Sequence, residues 1–174
     1  MMNNVLELIF DEVSKNFYHY TGKKIILARI DSNTLNAWRK KWVPINTRKP
    51  PNGGWNWEFK VAHFQKNYHK YIFDMAIFSE NGELSGLVLG KRSRSKTNLS
   101  IYYIEGSPNQ SSPLKGYIFS IINIAVLEYA KLIGIKKFRL IEPVDGLIEF
   151  YQSYDFELKK KTLFGKLYCE KEIL

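Results

Sequence analysis

The chain is poor in the residues that build cross-links and metal centres. A single cysteine in 174 residues, Cys169, excludes an internal disulfide. The three histidines, His19, His63 and His69, are scattered without metal-ligand spacing, so no metal is expected. Such cysteine usage suits a reducing compartment, and a cytoplasmic location is the expectation. Cys169 itself lies between Tyr168 and Glu170 in a strand-like stretch, a setting for packing more than for a reactive thiol. No run approaches the ~18 apolar residues of a membrane span. From Met1 to Phe17, Glu7, Asp11 and Glu12 interrupt Leu6, Ile9, Phe10 and Val13, which predicts an amphipathic helix and not a signal peptide. Internal repeats, low-complexity tracts and interdomain linkers are also missing, and one domain over residues 1–174 is expected.

Acidic residues are the minority among the charges, 17 against 26 lysines and arginines, for a net charge of +9. A chain this basic attracts anions: nucleotide cofactors, nucleic acid and acidic proteins all qualify, and a solvated basic surface is the plain alternative. Lys91, Arg92, Arg94 and Lys96 form its densest cationic turn. What the chain does have is apolar and aromatic content, 45% and 15%, enough to exclude disorder.

Hydrophobic spacing and turn chemistry lay out an order of elements. Lys24 to Ile30 is short and β-branched, and predicts a first strand. Asp31 or Ser32 then caps a helix whose Leu35, Trp38 and Trp42 share one face, ended by Pro44. A loop over 46–54, with Pro50-Pro51 and Gly53-Gly54, leads into a second helix carrying Trp57, Val61 and Phe64 as far as Tyr68. Tyr71 to Ser79, Leu84 to Gly90 and Leu99 to Glu105 follow as a meander, its first turn at Asn81-Gly82. The longest pattern comes next. Ser112 as N-cap, Pro113 at the first helical position, the stripe Leu114, Ile118, Ile121, Ile122, Ala125, Tyr129 and Leu132, and the stop at Gly134 predict a helix of roughly 31 Å. Lys136 to Ile141 reads as a strand and Asp145 to Tyr154 as a shorter helix. Glu157 to Leu163 and Lys166 to Glu172 close the chain as a strand pair.

This order, with Glu128-Tyr129-Ala130-Lys131 ahead of Gly134 and with Phe150-Tyr151 ahead of Phe156, resembles the GCN5-related N-acetyltransferase (GNAT) superfamily. Asp155 stands where those proteins carry a glycine. The resemblance implies an α/β (α+β) fold with a central mixed, mostly antiparallel sheet flanked by helices. Residues 1–20 would be an extra N-terminal helix, 24–111 the half with the acceptor-side helices and the meander, and 112–174 the long helix and C-terminal half. It also implies an activity: transfer of an acyl group, acetyl in the first instance, from acetyl-CoA to a primary amine on a small molecule, a protein or a tRNA-linked acceptor.

Site residues follow from the same resemblance. GNAT proteins seat the CoA pyrophosphate on backbone N–H groups where the long helix begins, through a Gln/Arg-x-x-Gly-x-Gly/Ala motif, and unpaired amides at the positive end of a helix do favour an anion. Only Gly116 of that motif is present here. Cofactor binding is accordingly expected of Ser111, Ser112, Leu114, Lys115, Gly116 and Tyr117, with Pro113 removing a donor and the two serines and Lys115 able to contact phosphate themselves. The alternative is a GNAT-shaped protein that has lost CoA and binds or modifies nucleic acid, or a non-catalytic interaction module. Tyr151 is implied as the general acid, a role open to a phenol of pKa near ~10, unless it is an ordinary core residue beside Phe150. Glu105 is the implied base unless it is a surface glutamate at a strand end, and Glu142 and Asp145 stand behind it. Trp55 and Trp57 would flank the acceptor, whereas Trp38 and Trp42 would pack two helices together. The Lys91 to Lys96 turn would meet the 3′-phosphate of CoA, a nucleic-acid backbone or solvent alone.

Overall fold

A computed structural model describes residues 3–45, 47–50, 53–160 and 165–173. The elements run α1 (Asn3–Thr21), β1 (Ile25–Ala28), α2 (Ser32–Lys41), α3 (Trp57–Tyr68), β2 (Ile72–Ser79), β3 (Leu84–Arg92), β4 (Asn98–Gly106), α4 (Ile118–Ile133), β5 (Lys137–Ile141), α5 (Ile148–Gln152), β6 (Glu157–Lys160) and β7 (Leu167–Glu172). The strands form one sheet in the order β1-β2-β3-β4-β5-β7-β6. Among the described residues only β4 and β5 pair in parallel, and every other neighbour is antiparallel.

Local chemistry accounts for most of these boundaries. Asp31 caps α2 by accepting from the Thr34 N–H at 2.8 Å, and Asn56 caps α3 from Phe59 at 3.0 Å. Gly134, at φ 78°, ends α4 in the left-handed conformation. The sheet separates two cores. On one face α1 and α4 pack against Phe73, Met75, Val88, Leu99 and Ile101. On the other, Trp38 of α2, its C-cap Trp42, and Trp57, Val61 and Phe64 of α3 cover Ala76, Leu87 and Leu89. The alternation Leu87, Val88, Leu89 along β3 feeds both cores in turn, as a strand buried on two faces must.

Two expectations change. The long helix begins at Ile118 and has 16 residues, with Tyr117 as its N-cap and no side-chain cap. Ser112 is not the cap because its hydroxyl faces the Ser85 hydroxyl at 3.4 Å, and Gly116, at φ 85°, is incompatible with a helix running through it. Turns closed by Lys115 N–H to Ser112 and Tyr117 N–H to Leu114 occupy the interval. The shorter helix is also less than expected: a 3₁₀ turn over Asp145–Leu147 leads into five residues of α5. In the closing pair, β6 reaches Lys160, and residues 161–164 lie outside the described part of the chain.

β4 carries the feature that shapes the site. Leu89 pairs with Tyr103 and Gly90 with Ile101, so Tyr102 is an extra residue, a β-bulge. The bulge shifts the side-chain parity of the strand. Leu99 and Ile101 face the α4 core before it, and Ile104 faces that core after it, which turns Glu105 toward α3. Gly90 makes the bulge possible: a Cβ there would lie 2.4 Å from the Ser100 carbonyl oxygen. Gly90→Ala is therefore expected to cost roughly 1–3 kcal/mol, the usual range for overpacking. Urea unfolding checks it, and a midpoint equal to that of the parent would show that the bulge tolerates the added methyl.

Candidate active site

β4 and β5 pair only from Asn98 with Lys137 to Ile101 with Leu140. Past that point the bulge draws β4 one way, while Glu142, at φ 50°, turns the end of β5 the other. A left-handed glutamate is an uncommon conformation and marks a locally constrained backbone. The Glu142 N–H is held by the Leu167 carbonyl at 2.9 Å. Between the parted strands lies a cleft of about 250 Å³, with Ile101, Ile104, Leu140 and Tyr151 toward the α4 side and Trp55 and Glu142 among the residues at its other walls. The start of α4 lies near the cleft without lining it: the Ile118 side chain is 3.6 Å from a Cβ built at Gly106, one of the lining residues.

Solved structures that share this arrangement include acetyltransferases. Ard1 from Thermoplasma volcanium matches with a TM-score of 0.60 over 86% of this chain and 98% of its own, at 13% identity. A mutant of SpeG spermidine N-acetyltransferase from Vibrio cholerae matches at 0.61 over 86% and 94%, at 11% identity. A protein of the GNAT family from Desulfovibrio desulfuricans matches at 0.60 over 86% and 99%, at 12% identity. The chain has the GNAT fold. No protein-family model and no curated protein sequence matches it.

Within the GNAT fold the expected site residues fall into two groups. Tyr151 lines the cleft. It is 8% exposed, with Phe119 at 5.1 Å and Phe156 at 6.3 Å between ring centres. Burial, with a smaller contribution from nearby Cys169, pushes its phenol up to about 12. Trp55 also lines the cleft, half-buried and edge-on to Tyr103 at 5.5 Å.

Glu105 and Trp57 lie behind that wall. Glu105 is 2% exposed and accepts from four donors: Arg48 Nε at 2.6 Å, Arg48 Nη2 at 3.2 Å, the Gly54 N–H at 3.1 Å and Trp57 Nε1 at 2.7 Å. It is neither a surface glutamate nor a residue with an oxygen to spare. Trp57 is fully buried, with its indole N–H committed to this carboxylate. Gly53 and Gly54 let the loop close over the carboxylate, because a Cβ on Gly53 would lie 2.7 Å from Glu105 Oε1. Arg48 is the residue that sequence reasoning misses. A lone arginine in a polar loop gives no sign of a partner 57 positions away.

The expected cofactor residues are split in the same way. Leu114 and Ser112 are buried, with Leu114 in the core beneath α4. Tyr117 packs edge-on against Phe17 of α1 at 5.9 Å. Ser111, Lys115 and Gly116 are exposed, Lys115 bonded to Gln110, and a Cβ on Gly116 would meet nothing within 4 Å. Of the basic turn, Lys91 rests on the Tyr68 ring at 3.5 Å and Arg92 is buried beside the Tyr71 ring at 4.9 Å. Among the described residues no cluster of metal-ligating side chains occurs, and no helix is long and apolar enough to cross a membrane.

Removing Arg48 leaves Glu105 charged and buried without its counter-ion. Arg48→Met should cost about 3–5 kcal/mol, and Glu105→Gln in the same chain should recover much of that loss. Denaturant titration of both variants measures it. A single-variant cost below about 1 kcal/mol would mean that the pair does not hold the loop.

Proposed function

We propose that the protein transfers an acyl group, most simply acetyl, from acyl-CoA to a primary amine. The observation that carries this reading is the cleft between β4 and β5, with a buried phenol in its wall and the start of α4 nearby. The residues fit a CoA thioester. At α4 the amides of Ile118, Phe119 and Ser120 precede the first intrahelical bond, which runs from Ile121 to Tyr117, so they are available to a phosphate at the positive end of the helix. Gly116 leaves the approach open, and Lys115 and Ser111 stand beside it at the surface. Beyond Ile101 the β4 edge has no β5 partner, so its backbone can pair with an extended amide-bearing arm. Bound there, acyl-CoA would supply the acyl group as an activated thioester.

The chain's own residues then divide the proton work. Tyr151, with its phenol near 12, keeps its proton at neutral pH and presents it to the sulfur that leaves. Glu105 is spent on Arg48, Gly54 and Trp57, and the part once expected of it passes to Glu142. Glu142 lines the cleft as a largely exposed carboxylate, bonded to Lys166 at 2.6 Å, and takes the amine proton directly or through water. The balance is simple: a C–N bond forms, the C–S bond breaks, nitrogen gives up one proton and sulfur gains one. Glu105 keeps Trp55 and the preceding loop in place.

Calorimetry with acetyl-CoA should show one site with measurable heat, and absence of both heat and thermal shift at millimolar concentration would overturn the reading. Tyr151→Phe keeps the ring and should cost about 1 kcal/mol or less in stability. Its turnover should fall roughly 10²-fold with little change in acetyl-CoA affinity, because the lost proton transfer matters mainly at the transition state. Near-normal turnover in the folded variant would remove Tyr151 from the mechanism.

A further inference from the structure

The acyl-transfer reading leaves the chemistry of the acceptor open, and the uncovered face of the sheet beside the cleft bears on it. α2 and α3 pack on β2 and β3, and the core they form includes no residue of β5 or β7. On this open face lies a second cavity of about 560 Å³. It shares Tyr102 and Ile141 with the cleft, so the two adjoin. Four of its lining residues are cationic, Lys91, Arg92, Arg139 and Lys166, and none is acidic.

Register brings two of these cations to one place. Ser100 on β4 pairs with Lys91 on one side and with Arg139 on the other, so the three side chains form a row across three strands on the same face. With strands about 4.8 Å apart, the row spans roughly 10 Å, wide enough for one oxyanion to lie between the two cations. Lys91 is held over the Tyr68 ring at 3.5 Å, and among the described residues it has no carboxylate partner. Arg139 uses Nε on Glu170 at 2.5 Å and rests on the Tyr168 ring at 5.1 Å, which orients the guanidinium and leaves its terminal nitrogens to a ligand. Ser100 donates to Asn98 at 3.2 Å, so its hydroxyl hydrogen is used within the protein and the anion is left to the two cations. A cation fixed on an aromatic ring and a guanidinium fixed by a carboxylate lose little freedom when an anion arrives.

We propose that the acceptor amine carries an anionic group, carboxylate or phosphate, and that Lys91 and Arg139 receive this group while the amine enters the cleft past Tyr102 and Ile141. The proposal rests on the acyl-transfer reading for the role of the amine but not for the anion site itself. Lys166 links the two regions: it lines the groove and is bonded to Glu142, which lines the cleft.

Binding is measured first and without cofactor, by calorimetry with glutarate and with inorganic phosphate on wild type, Lys91→Met and Arg139→Gln. Wild type should bind at least one of the two, each variant should bind it about tenfold more weakly, and added salt should weaken it further. Absence of binding by wild type, or equal binding by all three proteins, overturns the proposal. The ratio of the glutarate and phosphate affinities tells the two anions apart. The second measurement is thiol release from acetyl-CoA with butylamine, 4-aminobutyrate and 4-aminobutyl phosphate. An acidic acceptor should exceed butylamine in kcat/KM by tenfold or more, and the ratio should fall toward one in Lys91→Met. Turnover of all three amines at similar kcat/KM would overturn the anionic acceptor while leaving acyl transfer standing. Failure to bind acetyl-CoA would overturn acyl transfer, with the anion site then decided by the first measurement alone.

Discussion

One extra residue in β4 governs the geometry of this protein. Tyr102 has no partner on β3, and everything beyond it is displaced by one position in the pleat. Two consequences follow together. The strand leaves β5 after Ile101, which opens the sheet, and Glu105 points toward α3 and not toward α4. Without the shift Glu105 would face the apolar side of α4, where a carboxylate has no donors. With it, the carboxylate meets Arg48, Gly54 and Trp57. The opening of the cleft and the anchoring of the loop that borders it are thus one structural event, dependent on the absence of a side chain at Gly90.

Charge is distributed inside the molecule in a way that the net value of +9 conceals. Among the described residues three acidic side chains are buried, Asp74, Glu105 and Glu170, and each is matched with arginine: Arg29, Arg48 and Arg139. Such pairs offset their desolvation only when hydrogen bonds occupy the remaining lone pairs. Asp74 fulfils this with the Ile30 N–H at 2.8 Å, and Glu105 with Gly54 and Trp57. Each pair joins elements distant in sequence: Asp74 ties β2 to the end of β1, Glu105 ties β4 to the loop before α3, and Glu170 joins β7 to β5. The Glu105 and Glu170 pairs therefore tie the strands beside the cleft to their neighbours, and the Asp74 pair does the same for β1 and β2 away from it.

The two faces of the sheet are closed differently. The α4 face is closed by apolar side chains from α1, α4 and α5, which buries Tyr151 and raises its phenol. Among the described residues, the helices on the opposite face cover β2, β3 and the bulged part of β4. Beyond that cover the described side chains are polar and cationic, with Lys91, Arg92 and Arg139 resting on tyrosine rings. The cleft passes between these environments, dry and aromatic at one end and charged at the other.

The sequence by itself determined the elements and much of their order. Periodicity marked α1, α2 and α3 and the meander strands, Asp31 and Gly134 marked a helix start and a helix stop, and Phe150-Tyr151 marked the side chain that lines the cleft. These signals are local: a cap, a turn or a buried stripe depends on residues within about one helical turn or one strand pair. The tertiary structure decided the rest. Ser112 and Pro113 satisfy every local rule for beginning a helix, yet Ser112 is drawn to Ser85 on β3 and the left-handed Gly116 delays the start to Ile118. Glu105 could be placed at the end of a strand from sequence, but its side of the sheet depended on a bulge that periodicity does not reveal, and its partner Arg48 lay 57 residues away. Pairing at that separation depends on where the folded chain brings two segments together, and no short-range pattern of side chains encodes that distance.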